Sequence, residues 1–200
     1  MKILHRISED EVIAEFLKAE INSKRFGALI KNAMGNEDAN IVTNPNLNNN
    51  QENHYRRSLL GEVRGFGKNE DLFENFPSEV SWNRVIFTKE DLQAVMYIDY
   101  SYWNQLSNNT RYPIDAAKNI LNDVEIFNVS NDGFREIHSE IKRGTTFPRL
   151  IFVSCNEQSR IVVLEGHARL TAYFLELEYV PEELEVIMGY SEDFVDWDLY

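Results

Sequence analysis

The chain has 200 residues, 43% hydrophobic and 12% aromatic, enough apolar material for one domain with a sizeable core. Against 20 Lys and Arg stand 33 Asp and Glu, and the resulting formal charge of −13 argues against broad electrostatic capture of nucleic acid. The single cysteine, Cys155, excludes an intramolecular disulfide framework and a cysteine-rich zinc module, and it points to a cytoplasmic protein.

The opening residues carry no long apolar run, so no secretory leader is expected. Apolar runs such as Leu150 to Val153 and Ile161 to Leu164 are far too short to span a bilayer. Ser8 and Glu11 have capping-box spacing, and Val12, Ile13, Phe16, Leu17 and Ile21 follow at helical intervals. A second helical stretch over 25–34 places Phe26, Leu29, Ile30 and Ala33 on one stripe. Residues 36–54 hold eight asparagines in nineteen positions and almost no apolar period. That predicts a long, mobile loop. It also suggests a division into an N-terminal helical region, 1–80, and an α/β domain, 81–200.

Residues 55–63 read as helical. Gly61, Gly65 and Gly67 followed by Lys68 invite a phosphate-loop reading, but the spacing fails. Five residues separate Gly61 from Gly67, Asn69 follows the lysine, and Glu70 stands where a dinucleotide motif needs its last glycine. The segment reads as a turn. Val85 to Phe87 predicts a strand, and Thr88 with Asp91 starts a helix through Met96 and Ile98. Tyr97, Tyr100, Tyr102 and Trp103 read as an aromatic packing cluster. Leu106 to Arg111 is a polar loop, and Pro113 opens a helix to about Leu121. A further helix over 131–143 ends at Gly144 and carries His138 between Glu136 and Glu140, as a surface residue.

The last third reads most clearly. Leu150 to Ser154 and Ile161 to Leu164 are strands joined by a turn, and Leu184 to Met188 is a third. Between them, Glu165-Gly166-His167-Ala168-Arg169 leads into a helix marked by Leu170, Ala172, Tyr173 and Phe174. After Arg169 there are nine acidic residues and no basic ones. The fold class expected is α+β, a small mixed sheet with surrounding helices and an N-terminal helical extension.

The strand–turn–helix segment carries the sharpest chemistry. Gly166 permits a sharp turn, and the helix behind it offers unpaired N–H groups and a positive dipole end. Arg169 adds a planar, always-charged fork for phosphate or carboxylate, and His167 a donor that can change charge near neutrality. Glu165 can hold a hydroxyl, a metal-bound water or Arg169 itself. Thr110 and Arg111 are candidates for a second phosphate-contacting wall. Four histidines are scattered without zinc spacing, so no metal site is expected.

The run Ile161-Val-Val-Leu-Glu-Gly-His-Ala-Arg-Leu-Thr-Ala-Tyr173 resembles the signature of the ParB/sulfiredoxin superfamily: strand, Gly-x-x-Arg, then helix. The resemblance covers roughly 145–190 and extends less securely back to about Val85. It implies a fold whose Gly-x-x-Arg turn binds nucleotide phosphates, with ATP, ADP or CTP and Mg²⁺ as the implied ligands. Gly166, His167 and Arg169 would hold the phosphates, and Glu165 and His167 would be the catalytic candidates for phosphoryl transfer or hydrolysis. His167 stands where sulfiredoxin has its cysteine, which argues against sulfiredoxin chemistry. The helix-turn-helix domain of true ParB proteins is not evident. Two alternatives follow. One is a ParB-like nucleic-acid-associated protein or nuclease, using Arg56, Arg57, Arg64 and Lys68 as a basic patch. The other is a non-catalytic accessory protein with the acidic, aromatic C-terminus as its partner surface.

Overall fold

A computed structural model describes residues 1–200. The helices are α1 (Glu9–Glu20), α2 (Gly27–Met34), α3 (Asn40–Thr43), α4 (Asn50–Arg64), α5 (Lys89–Gln93), α6 (Ser101–Leu106), α7 (Pro113–Leu121), α8 (Asp132–Lys142) and α9 (His167–Tyr173). The strands are β1 (Lys2–Arg6), β2 (Ser81–Thr88), β3 (Val95–Met96), β4 (Ile151–Ser154), β5 (Ile161–Glu165) and β6 (Glu183–Tyr190). They form one mixed sheet in the order β1-β2-β6-β4-β5-β3. The protein is α+β, a small mixed sheet surrounded by helices.

The longest ladder is β2 against β6, antiparallel from Ser81↔Tyr190 to Thr88↔Glu183. β4 lies parallel to β6 and antiparallel to β5, so β5 runs between β4 and the short edge strand β3. All four residues of β4 and four of the five in β5 are buried, which explains why both read as apolar runs rather than alternations. Gly189 in β6 lies against the Trp82 ring, where a Cβ would come within 2.4 Å of Cζ3.

Several expectations are corrected by this architecture. β1 was not foreseen; it pairs antiparallel with β2, and all five of its residues are exposed, so no inward side chain marks it. The helix expected from Thr88 to Ile98 stops at Gln93, and Val95 and Met96 pair parallel with Ile161 and Val162 as an edge strand. Its start is as expected, with Thr88 and Asp91 forming a reciprocal capping box.

The asparagine-rich stretch is not a structureless loop. It contains α3 and the start of α4, whose N-cap Asn49 accepts from the backbone N–H of Gln51 and Glu52. Arg56 of α4 is fully buried and donates to the carbonyls of Ile41 (2.9 Å) and Asn46 (3.3 Å), tying the stretch to the helix. The asparagines satisfy caps and turns here rather than loosening the chain. Residues on both sides of position 80, from Phe16 and Leu60 to Phe152 and Ile187, belong to one hydrophobic core of 43 residues.

Two more sequence readings change. His138 is buried, with Nδ1 2.9 Å from the Ala172 carbonyl and Nε2 3.1 Å from Glu176, so it clamps α8 to α9. The tail is acidic outside but aromatic inside: Phe194, Trp197 and Tyr200 are buried, and Trp197 Nε1 donates to the Leu72 carbonyl at 3.2 Å. Those rings are therefore not an exposed partner surface. No helix is long and apolar enough to cross a membrane.

Candidate functional site

β5 delivers Glu165 to the end of the sheet, and the chain turns at Gly166 with φ +101° before entering α9. This is a left-handed conformation that side-chain-bearing residues rarely adopt. A Cβ at this position would also meet Leu150 Cδ2 at 2.3 Å and Arg169 Nη2 at 3.1 Å. The glycine thus allows the Arg169 guanidinium to fold back under the turn. There its Nη1 donates to the Pro148 carbonyl and its Nη2 pairs with Glu165. These bonds use two of the five guanidinium N–H groups.

A cavity of about 660 Å³ opens in front of this turn. Glu165, Gly166, His167 and Arg169 line one part of it. The rest of its charge comes from the N-terminal region, through Lys18, Glu20, Arg25, Arg64 and Asp71. Arg64, at the end of α4, is buried and pairs with Glu20, while its Nε lies 3.3 Å from Asp71. Phe26 holds two guanidinia by its ring, Arg64 at 4.0 Å and Arg25 at 4.8 Å from the centroid. Four cations, Lys18, Arg25, Arg64 and Arg169, face three carboxylates, Glu20, Asp71 and Glu165. α9 is only seven residues long, so this positive charge comes from side chains of several elements more than from a helix end.

Burial and crowding set the protonation states. Burial pushes the Glu20 carboxyl up to about 8; Arg64 pulls it down and Glu165 pushes it further up. Burial also raises Glu165, against the pull of Arg169 and Arg64. His167 is pushed down to about 3, first by burial and then by Arg64, Arg25 and Arg169. Its ring keeps slight exposure, but Nε2 is buried with no partner. It stacks on Trp103 with centroids 5.0 Å apart and planes 16° apart. The expectation of a charge change near neutrality is therefore corrected: His167 is a neutral imidazole.

The structure brings Glu165, Gly166, His167 and Arg169 together and places the other two expected residues elsewhere. Thr110 Oγ1 donates to the Ser107 carbonyl at 2.8 Å and lies 2.9 Å from Asp115. Arg111 is buried and donates to the carbonyls of Tyr97 (2.8 Å) and Leu199 (3.3 Å), a brace for the C-terminal end. Neither lines the cavity. The second wall comes instead from Glu20, Arg25 and Arg64, which the sequence reading did not assign to the site. The one available hint was arginine on the buried stripe of α4, Arg56 and Arg64 around Leu60. Of the expected basic patch, Arg56 is buried, Arg57 pairs with Glu9 (2.6 Å) and Asp10 (3.2 Å), Arg64 faces the cavity, and Lys68 stands exposed. No three His, Cys, Asp or Glu side chains come together as a metal-binding group.

No family model, curated protein or solved structure matches the chain.

The depressed His167 pKa has a consequence for stability. As pH falls below the ordinary histidine value of 6.5, the unfolded chain takes up a proton that the native ring refuses. Stability contributed by the neutral ring is present above that value and is lost toward about pH 3. Between about pH 6.5 and about pH 5, the wild type should lose about 1.5 kcal/mol more than His167→Asn in urea denaturation. Parallel losses in the two proteins would show that the ring is not held neutral.

Proposed function

We propose that the cavity binds a phosphorylated small molecule, with a nucleotide as the leading class. Arg169, Arg64 and Arg25 take the phosphates, and Gly166 gives Arg169 the room to fold back beneath the turn. The observation that carries this reading is the charge of the cavity: four cations converge on one concavity of a chain whose net charge is −13. Guanidinia braced by carboxylates and by an aromatic ring are pre-organised for planar, bidentate contact with phosphate oxygens. A cavity of about 660 Å³ is of the size that holds a drug-sized molecule. The resemblance of residues 161–173 to the ParB/sulfiredoxin signature supports the same reading and adds ATP, ADP or CTP with Mg²⁺ as ligands to try.

In this reading Glu165 positions Arg169 through their ion pair, and the neutral His167 offers an imidazole edge to the ligand. The test is calorimetric titration of folded protein with ATP, ADP and CTP, each with Mg²⁺. Saturable heat with at least one of them is expected, and absence of heat with all three overturns the nucleotide reading.

A further inference from the structure

We infer that Tyr100 is the stacking platform for a flat aromatic group of the ligand, so that the cavity selects a nucleoside phosphate over a phosphate that lacks a base. The inference rests on the anion-site reading above and deepens it by giving the uncharged part of the cavity its occupant.

The charges of the cavity are segregated. The segments 18–25, 64–71 and 165–169 bring all of them, whereas Ile98, Tyr100, Trp103, Phe147 and Leu199 bring none. The 98–103 segment and Leu199 are tied together, because the Asp99 backbone N–H donates to the Leu199 carbonyl at 2.8 Å. An occupant that fills both parts is charged at one end and apolar at the other.

The rings that line the cavity differ in what they are free to do. Phe26 is already covered by the guanidinia of Arg25 and Arg64. Trp103 is 9% exposed and stacks with both Tyr97 (4.6 Å) and His167 (5.0 Å). Phe147 precedes Pro148, whose carbonyl accepts from Arg169, so it stands beside the cations. Tyr100 is set apart from them on the 98–103 segment and is 43% exposed. Its backbone is fixed: the N–H donates to the Ile98 carbonyl and the carbonyl accepts from the Asn104 N–H, both at 2.9 Å. Its side chain makes no capping bond at the start of α6. The result is an open aromatic face on a held backbone, with two side-chain torsions to order when a base covers it.

Titration with ADP and with inorganic diphosphate, each with Mg²⁺, separates the two ends of the ligand, because the second probe has no base. Tyr100→Ala should weaken ADP binding roughly 5- to 150-fold and change diphosphate affinity by less than about twofold. Tyr100→Phe keeps the ring face and should hold ADP within about threefold of the wild type. Should Tyr100→Ala fold poorly, proton NMR of the wild type decides: ADP must shift the Tyr100 ring protons upfield, and diphosphate must not. Unchanged ADP affinity in Tyr100→Ala, an equal loss of both ligands, or ring protons that ADP leaves unmoved overturns this assignment and leaves the anion site standing. Absence of binding by both probes in the wild type overturns the anion site as well.

Discussion

Gly166→Ala should destabilise the protein by about 3–5 kcal/mol, combining left-handed backbone strain with overpacking. The added Cβ would sit 2.3 Å from Leu150 Cδ2 at φ +101°, so both penalties fall on one atom. Leu150 is itself 3% exposed and cannot swing into solvent. The comparison is Gly67→Ala, at φ +70° with nothing within 4 Å of the new atom, where only the backbone penalty of about 1 kcal/mol applies. Urea denaturation of the two variants measures the difference. A loss below about 1 kcal/mol for Gly166→Ala would show that the crowding at this turn is relieved by small shifts.

Arg169→Ala should weaken nucleotide binding by about 2–4 kcal/mol, roughly 30- to 1000-fold, and Arg64→Ala by a similar factor. Each removes a cation from the cavity and also releases a buried carboxyl, Glu165 or Glu20, from its only guanidinium partner. Stability should therefore fall along with affinity. Arg111→Ala separates the two effects. It removes the brace on Tyr97 and Leu199 but no lining side chain, so it should lower the urea midpoint while changing affinity by less than about threefold. Titrations with ADP and Mg²⁺ on the three variants decide the matter. Equal affinity loss in all three would reduce the arginines to structural parts.

The legible parts of the sequence were those where burial leaves a pattern. β4, β5 and β6 showed because their buried residues are apolar and lie in short runs bounded by turns. The Gly166 turn showed because only glycine suits its dihedrals. β1 was illegible because an edge strand with five exposed residues has no inside to betray it. His138 was misread from its acidic neighbours, although Phe134, His138 and Ile141 already repeat at helical spacing. Half of the candidate site was hidden for another reason. Glu20, Arg25 and Arg64 form no motif, since nothing local relates them; they meet only when α1 and α4 pack together.

That assembly from afar makes any occupant a staple. The cavity is built from segments around residues 18–26, 64–72, 98–103, 147–148 and 164–169, so one bound molecule would touch both the first and last thirds of the chain. Its binding energy would then appear as resistance to melting, in proportion to the logarithm of its concentration over its dissociation constant. Amide protons at the end of α1 and the start of α9 should slow their exchange together.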